Sequence, residues 1–220
     1  MDKQQEEIFW ETINTFDKAG LLRYVMLIGS WAEYIYSYYF TSNFTPSLRT
    51  TDLDFLYKNI RKPQRQINII SKLTQDGFVY KEDFLTGVGK FFKEGILEIE
   101  FLTRSIGKGS NTVNIQSIGI TVESLREVNM LADFPLELEC RDYIVTVPEP
   151  AAYVLHKLSI NPMREPEKQS KDIRAIRELL KHINANTNDK ARLKIIFDKL
   201  FKKQQKIILE TADKNFIELM

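Results

Sequence analysis

The chain of 220 residues has one cysteine, Cys140. That excludes an internal disulfide framework and a cysteine-built zinc site, and it fits a reducing compartment. There are only two histidines, His156 and His182. They stand far apart without ligand spacing, and both read as structural. Neither sign of charge dominates: 31 basic and 30 acidic residues leave a net charge of +1. A surface built as a whole for nucleic acid is therefore excluded, although a local basic face is not. No apolar run approaches the roughly 20 residues needed to span a bilayer. The opening MDKQQEEIFW is polar and acidic, unlike a secretory signal. The expectation is a cytoplasmic protein with no membrane partner. Internal repeats and low-complexity segments are also missing. What remains is 43% hydrophobic and 28% charged, the composition of a soluble globular protein long enough for one large domain or two small ones.

The pattern along the chain divides near residue 148. Residues 3–19 carry a helical stripe of Ile8, Phe9, Ile13 and Phe16, and Gly20 is a good stop. YVMLI (Tyr24 to Ile28) reads as a short buried strand closed by Gly29 and Ser30. Ser30 to Phe40 is too long for a strand and reads as a helix with Ser30 near its N-cap. DLDFLY is a second strand. Residues 63–75 suggest a helix stopped by Gly77. KFFKEGILEIEFLTR reads as a hairpin turning at Glu94-Gly95. Ile115 to Ile120 is expected to be a strand and Val122 to Met130 a short helix. PLELEC and YIVTVP form another hairpin. From Pro150 onward no strand signal remains. Three apolar stripes mark helices, the third running from Leu193 through Ile207 and Ile208. The expected fold class is α/β (α+β): a mixed sheet with flanking helices over residues 1–148, then a helical bundle over 149–220.

Asp52 and Asp54 share one side of the strand that contains them, because side chains alternate with period two. Adjacent carboxylates repel one another unless a cation lies between them. Magnesium and other hard divalent ions take oxygen ligands and are often held by one or two carboxylates plus substrate phosphates. In ILEIEFL, Glu98 and Glu100 likewise share a face, opposite Leu97, Ile99 and Phe101. Either could lie beside the aspartates if the two strands are neighbours. Gly29-Ser30, at a strand-to-helix turn, lets backbone N–H groups approach a phosphate. Each feature alone has an ordinary explanation: a solvated strand edge for the carboxylates, a plain helix cap for Gly-Ser.

Together these residues resemble the nucleotidyltransferase superfamily that includes DNA polymerase beta: a strand, Gly-Ser at a helix start, an acidic pair on the next strand and a further carboxylate on a later one. GSWAEYIYSYYF, RTTDLDFL, EIEFLT, VPEPAAYVLHKL and KQSKDIRAI look most like the prokaryotic GSLIP-type branch, relatives of the AbiEii abortive-infection toxins. The connection over residues 31–51 is longer than the superfamily usually has. The resemblance implies Asp52, Asp54 and Glu100 as catalytic, metal-holding carboxylates, with Mg2+ or Mn2+ as cofactor. It implies Gly29 and Ser30 at the phosphates of an NTP, aided by Arg49, Lys157, Lys171 and Asp172. The implied reaction moves an NMP to a hydroxyl of an RNA, such as tRNA, or of a protein. The implied setting is a toxin–antitoxin or phage-defence pair with an antitoxin protein as partner. A different reading is a nucleotide- or partner-binding module of the same fold without turnover, and a third is a hydrolase using the same metal site.

Ordinary readings compete at several of these positions. Lys168 and Asp172, four apart on a helix, can simply pair with one another. Gly107 to Ser110 lacks P-loop spacing and reads as a loop. The basic residues between Lys190 and Lys206 fit an RNA-phosphate face or a solvated helix. The aromatic run Tyr34, Tyr36, Tyr38, Tyr39 and Phe40 suits base stacking or core packing.

Overall fold

The computed structural model describes residues 2–40, 44–46, 50–105 and 111–219. Arg49 and the Gly107–Ser110 loop lie outside the described residues. Helix α1 (Lys3–Ala19) begins with the Asp2 side chain accepting from the Gln4 N–H and ends at Gly20 in the left-handed conformation. A 3-10 turn leads into β1 (Val25–Leu27), and Gly29 caps helix α2 (Ser30–Tyr39). Strand β2 (Asp52–Tyr57) follows, then helix α3 (Ile69–Gln75) and the antiparallel strands β3 (Val79–Glu82) and β4 (Gly89–Lys93). The long strand β5 (Leu97–Arg104) is at the centre of the sheet.

The sheet is mixed. β2 runs antiparallel to β1 and parallel to β5. The other edge of β5 is shared: β4 pairs antiparallel with its first half, and β7 (Ile120–Leu125) pairs parallel with its last residues. β6 (Thr112–Ile115) completes this side as a hairpin with β7. Leu53, Phe55, Tyr57, Ile99 and Phe101 are all buried on one face of the two central strands. α1 covers that face, its Phe16 ring 4.8 Å from Phe55 and 5.7 Å from Phe101. Such close-packed aromatic burial supplies much of the driving force for the α/β region.

After the short helix α4 (Asn129–Asp133), a separate hairpin of β8 (Pro135–Cys140) and β9 (Tyr143–Pro148) packs against β1 and α2. The rest of the described chain is helical: α5 (Pro150–Ile160), α6 (Pro166–Ala185), α7 (Thr187–Lys199) and α8 (Lys202–Lys214), with a 3-10 turn between α5 and α6. α5 is the axis of this bundle. Its residues Pro150 to Leu158 are all buried, and it contacts α4, α6, α7 and α8.

The structure departs from the periodicity reading at four places. Ile115–Ile120 is the turn of the β6–β7 hairpin, with Gly119 at φ 68°, rather than a strand. Ile120, Val122 and Ser124 are buried and alternate with more exposed neighbours, so this stretch adds to the sheet and the helix starts only at Asn129. The expected helix over 63–75 is shortened to Ile69–Gln75, because Asn68 caps it with its own side chain. The third bundle stripe is two helices, broken at Leu200 and Phe201, both of which are extended. At Ile120–Leu125 strand pairing, and at Asn68 a local cap, outweighs helix propensity.

Candidate functional site

The parallel register of β2 and β5 sets Asp52 opposite Glu98 and Asp54 opposite Glu100. Four carboxylates thus lie on the sheet face opposite the aromatic core. One described cation sits among them. Lys90, on β4 across from Glu100, places Nζ 3.0 Å from Glu98 and 3.4 Å from Glu100. Burial opposes its charge, yet the two glutamates hold the ammonium above its usual range. Glu100 is pushed upward by burial against the pull of Lys90. Asp54 is shifted most. Burial, then the charges of Glu100 and Asp52, raise its carboxyl from 3.8 to about 7.

Gly29 meets this face directly. Its φ of 67° lies in the left-handed region, and a Cβ there would run into Oδ2 of Asp54. Glycine is thus required twice, by conformation and by space. The Ile28 N–H donates to the Asp54 carbonyl at 3.0 Å and fixes the turn to β2. Ser30 is the first residue of α2 rather than its cap. The opening N–H groups of that helix lie ahead of its own hydrogen-bond ladder, next to the acidic strand.

The helical region closes the other side. Lys171 feels the charges of Asp52, Glu33, Asp172 and Lys157, with burial and Lys157 lowering its ammonium. It is the cation that links α6 to the acidic strand. Lys157 and Asp172 are deeper. Their side chains meet at 2.6 Å, and Arg164 reaches the second oxygen of Asp172 at 3.1 Å. The intrahelical Lys168–Asp172 pair is not formed; Asp172 is buried toward α5 while Lys168 is exposed. Tyr153, one turn before Lys157, has its hydroxyl 2.7 Å from Glu33 on α2.

Sequence reasoning missed Lys90, Arg164, Glu33 and Tyr153. Lys90 was within reach, since hairpin pairing would set it against Glu100. That needs the exact turn length, and a one-residue slip turns the side chain to the opposite face. His156 is fully buried, and burial beside Lys157 and Arg164 pushes its imidazole down to about 3. His182 packs on Phe40 and Phe44. Of the aromatic run, Tyr34, Tyr36 and Phe40 are buried in the core and Tyr38 is exposed.

Among the described residues no three His, Cys, Asp or Glu side chains close around one point as a metal cage. In chemistry the donors of Asp52, Asp54 and Glu100 suit a hard divalent cation. No described helix is long and apolar enough to cross a membrane.

The family model described as Nucleotidyltransferase matches residues 9–195. The chain belongs to the nucleotidyltransferase family and is a transferase. No curated protein matches the sequence. Among solved structures, an antigenic nucleotidyltransferase-like protein from Paracoccidioides brasiliensis superposes with a TM-score of 0.54 at 15% identity, over 92% of this chain and 87% of that one. The antibiotic-resistance factor ANT(2″)-Ia aligns over 98% of this chain and 95% of its own, with a TM-score of 0.43 at 10% identity. At these identities the first likeness speaks to the fold alone.

Proposed function

We propose that this transferase is magnesium- or manganese-dependent and moves an NMP from an NTP to a hydroxyl of an RNA or protein. The observation that carries the reading is the β2–β5 register, which gathers Asp52, Asp54 and Glu100 beneath the Gly29 turn. These three carboxylates would hold the divalent metal, whose chemistry is charge neutralisation at the phosphates and activation of the acceptor oxygen. The chain's own part is mostly positioning and electrostatics. The helix start at Ser30 offers N–H donors to the terminal phosphates, and Lys171 offsets their charge from the far side. The acceptor oxygen bonds to the α-phosphorus while the bond from that phosphorus to the pyrophosphate oxygen breaks. The acceptor's proton passes to a carboxylate of the acidic group, and pyrophosphate leaves. Lys157 and Asp172 support Lys171 from behind.

The acceptor class and the setting as the toxin of a toxin–antitoxin or phage-defence pair rest on the AbiEii-like sequence resemblance. The test is incubation with each α-labelled NTP, total tRNA and whole lysate, with magnesium or manganese. Labelled acceptor that vanishes in Asp52→Ala supports the proposal. Labelled NDP or NMP without labelled acceptor points instead to hydrolysis. One observation favours a second reading, a binding module without turnover: Glu98 and Glu100 are already engaged by Lys90. That reading requires NTP binding with no product from any acceptor.

A further inference from the structure

Tyr153 is buried between two acceptors. Its Oη lies 2.7 Å from Oε1 of Glu33 and 3.0 Å from the carbonyl oxygen of Gly29. A phenol has one proton to give. If Glu33 were ionised, both neighbours would be acceptors and one contact would go unserved. Glu33 is 3% exposed and Tyr153 is 1% exposed. Buried polar contacts of this kind are satisfied. A protonated Glu33 supplies the missing hydrogen and satisfies both.

We propose that Glu33 and Tyr153 are positioning residues: the neutral Glu33 carboxyl donates to Tyr153, whose hydroxyl donates to the Gly29 carbonyl and holds the turn against Asp54. The groups that face Glu33 pull in both directions, and burial is the largest influence on it. From its own helix comes Tyr36, from α5 Tyr153 and Lys157, and from α6 Lys171 and Asp172. Burial raises the Glu33 carboxyl against the pull of Lys157, of the Tyr153 hydroxyl and of Lys171, and Asp172 adds to the rise. The charge of Lys157 is largely taken by Asp172, 2.6 Å away. The Gly29 carbonyl also accepts from the Ala32 N–H at 3.2 Å, so the turn is held by its own helix and by α5. When Glu33 loses its proton, the Tyr153 hydrogen turns to the carboxylate and the Gly29 carbonyl loses its hold from α5. Because Gly29 abuts Asp54, that loosening reaches the acidic strand.

The functional half of this inference rests on the nucleotide-site reading above; the protonation half does not. Carboxyl carbon NMR, with the Glu33 signal assigned by its loss in Glu33→Gln, reports protonation without any substrate. The expected result is a Glu33 titration raised above the ordinary value near 4.3. In parallel, magnesium complexes of non-hydrolysable ATP and GTP analogues are titrated into wild type, Glu33→Gln, Glu33→Ala and Tyr153→Phe across about pH 5 to 8. Glu33→Gln, neutral and still a donor, is expected to bind several-fold more tightly than wild type at the alkaline end. Glu33→Ala and Tyr153→Phe bind roughly tenfold more weakly at the acidic end, the effect of one lost buried hydrogen bond. Titration of Asp54 is common to wild type and Glu33→Gln and cancels in their ratio. An ordinary Glu33 titration, or a ratio that does not change with pH, overturns the proposal. A high Glu33 titration with no analogue bound by any variant upholds the relay and sinks the nucleotide-site reading.

Discussion

Two clusters of charge lie on either side of the Gly29 turn, and they are built on opposite terms. On the sheet, Asp52, Asp54, Glu98 and Glu100 share a face with Lys90 between the glutamates. Between α5 and α6, a single carboxylate, Asp172, takes two cations, Lys157 and Arg164. In the helical cluster every charge has a partner and Lys157 and Asp172 are buried, so its worth is structural: it fixes α6 against α5. The sheet cluster is left short of positive charge. Burial first, and then repulsion from Glu100 and Asp52, raises the carboxyl of Asp54. A protein interior tolerates such an imbalance where an outside cation completes it.

The contrast can be broken by experiment. The largest effect is expected at the sheet. Asp52→Ala should lower label transfer by about 10²–10³-fold or more, with little change in unfolding free energy. Next comes the helical cluster. Asp172→Ala leaves Lys157 buried without its partner and should cost about 3–5 kcal/mol in urea unfolding. If Asp172→Ala is as stable as wild type, the cluster is not the anchor described. Third, magnesium or manganese at about a hundredfold excess over its Kd should stabilise wild type by about 2.7 kcal/mol. Asp54→Asn should lose most of that gain.

A smaller effect tests the sign of the imbalance. The folded protein holds a proton on Asp54 up to about 7, whereas the ordinary carboxyl value is 3.8. The stability from this group is full below the lower value and is lost as pH rises through the upper one. In chelator, Asp54→Asn should therefore melt above wild type at pH 8, by about 2–4 °C for each kcal/mol relieved. At mildly acidic pH the gap should narrow. The smallest effect belongs to Lys168. It is exposed and unpaired with Asp172, so Lys168→Ala should stay within about 0.5 kcal/mol of wild type.

These clusters were unequally legible in the sequence. The alternation in DLDFLY and ILEIEFL marks both strands and separates their acidic face from their aromatic one, because period two is a local property. The hairpin of PLELEC and YIVTVP is equally plain. Lys157, Lys171 and Asp172 stand out from the family-like stretches, but the one pairing that local spacing offers Asp172 is with Lys168. The actual partners lie 15 and 8 residues away on other elements, and helical spacing carries no trace of them. The Glu33–Tyr153 contact spans 120 residues and depends wholly on where α5 docks. Ile120–Leu125 was hidden for a related reason. Its apolar alternation is short and is followed by good helix formers, and only the vacant second half of β5 decides in favour of a strand.

The shared register of β2 and β5 has a consequence for how this chain can change. Phe55 and Phe101 point into the interior because Asp54 and Glu100 point out of it. Losing or gaining one residue in either strand would drive acidic groups into oil-like surroundings and expose the rings. The packing on the reverse side therefore acts as a ruler: it rejects any drift in strand length long before chemistry has a chance to judge it.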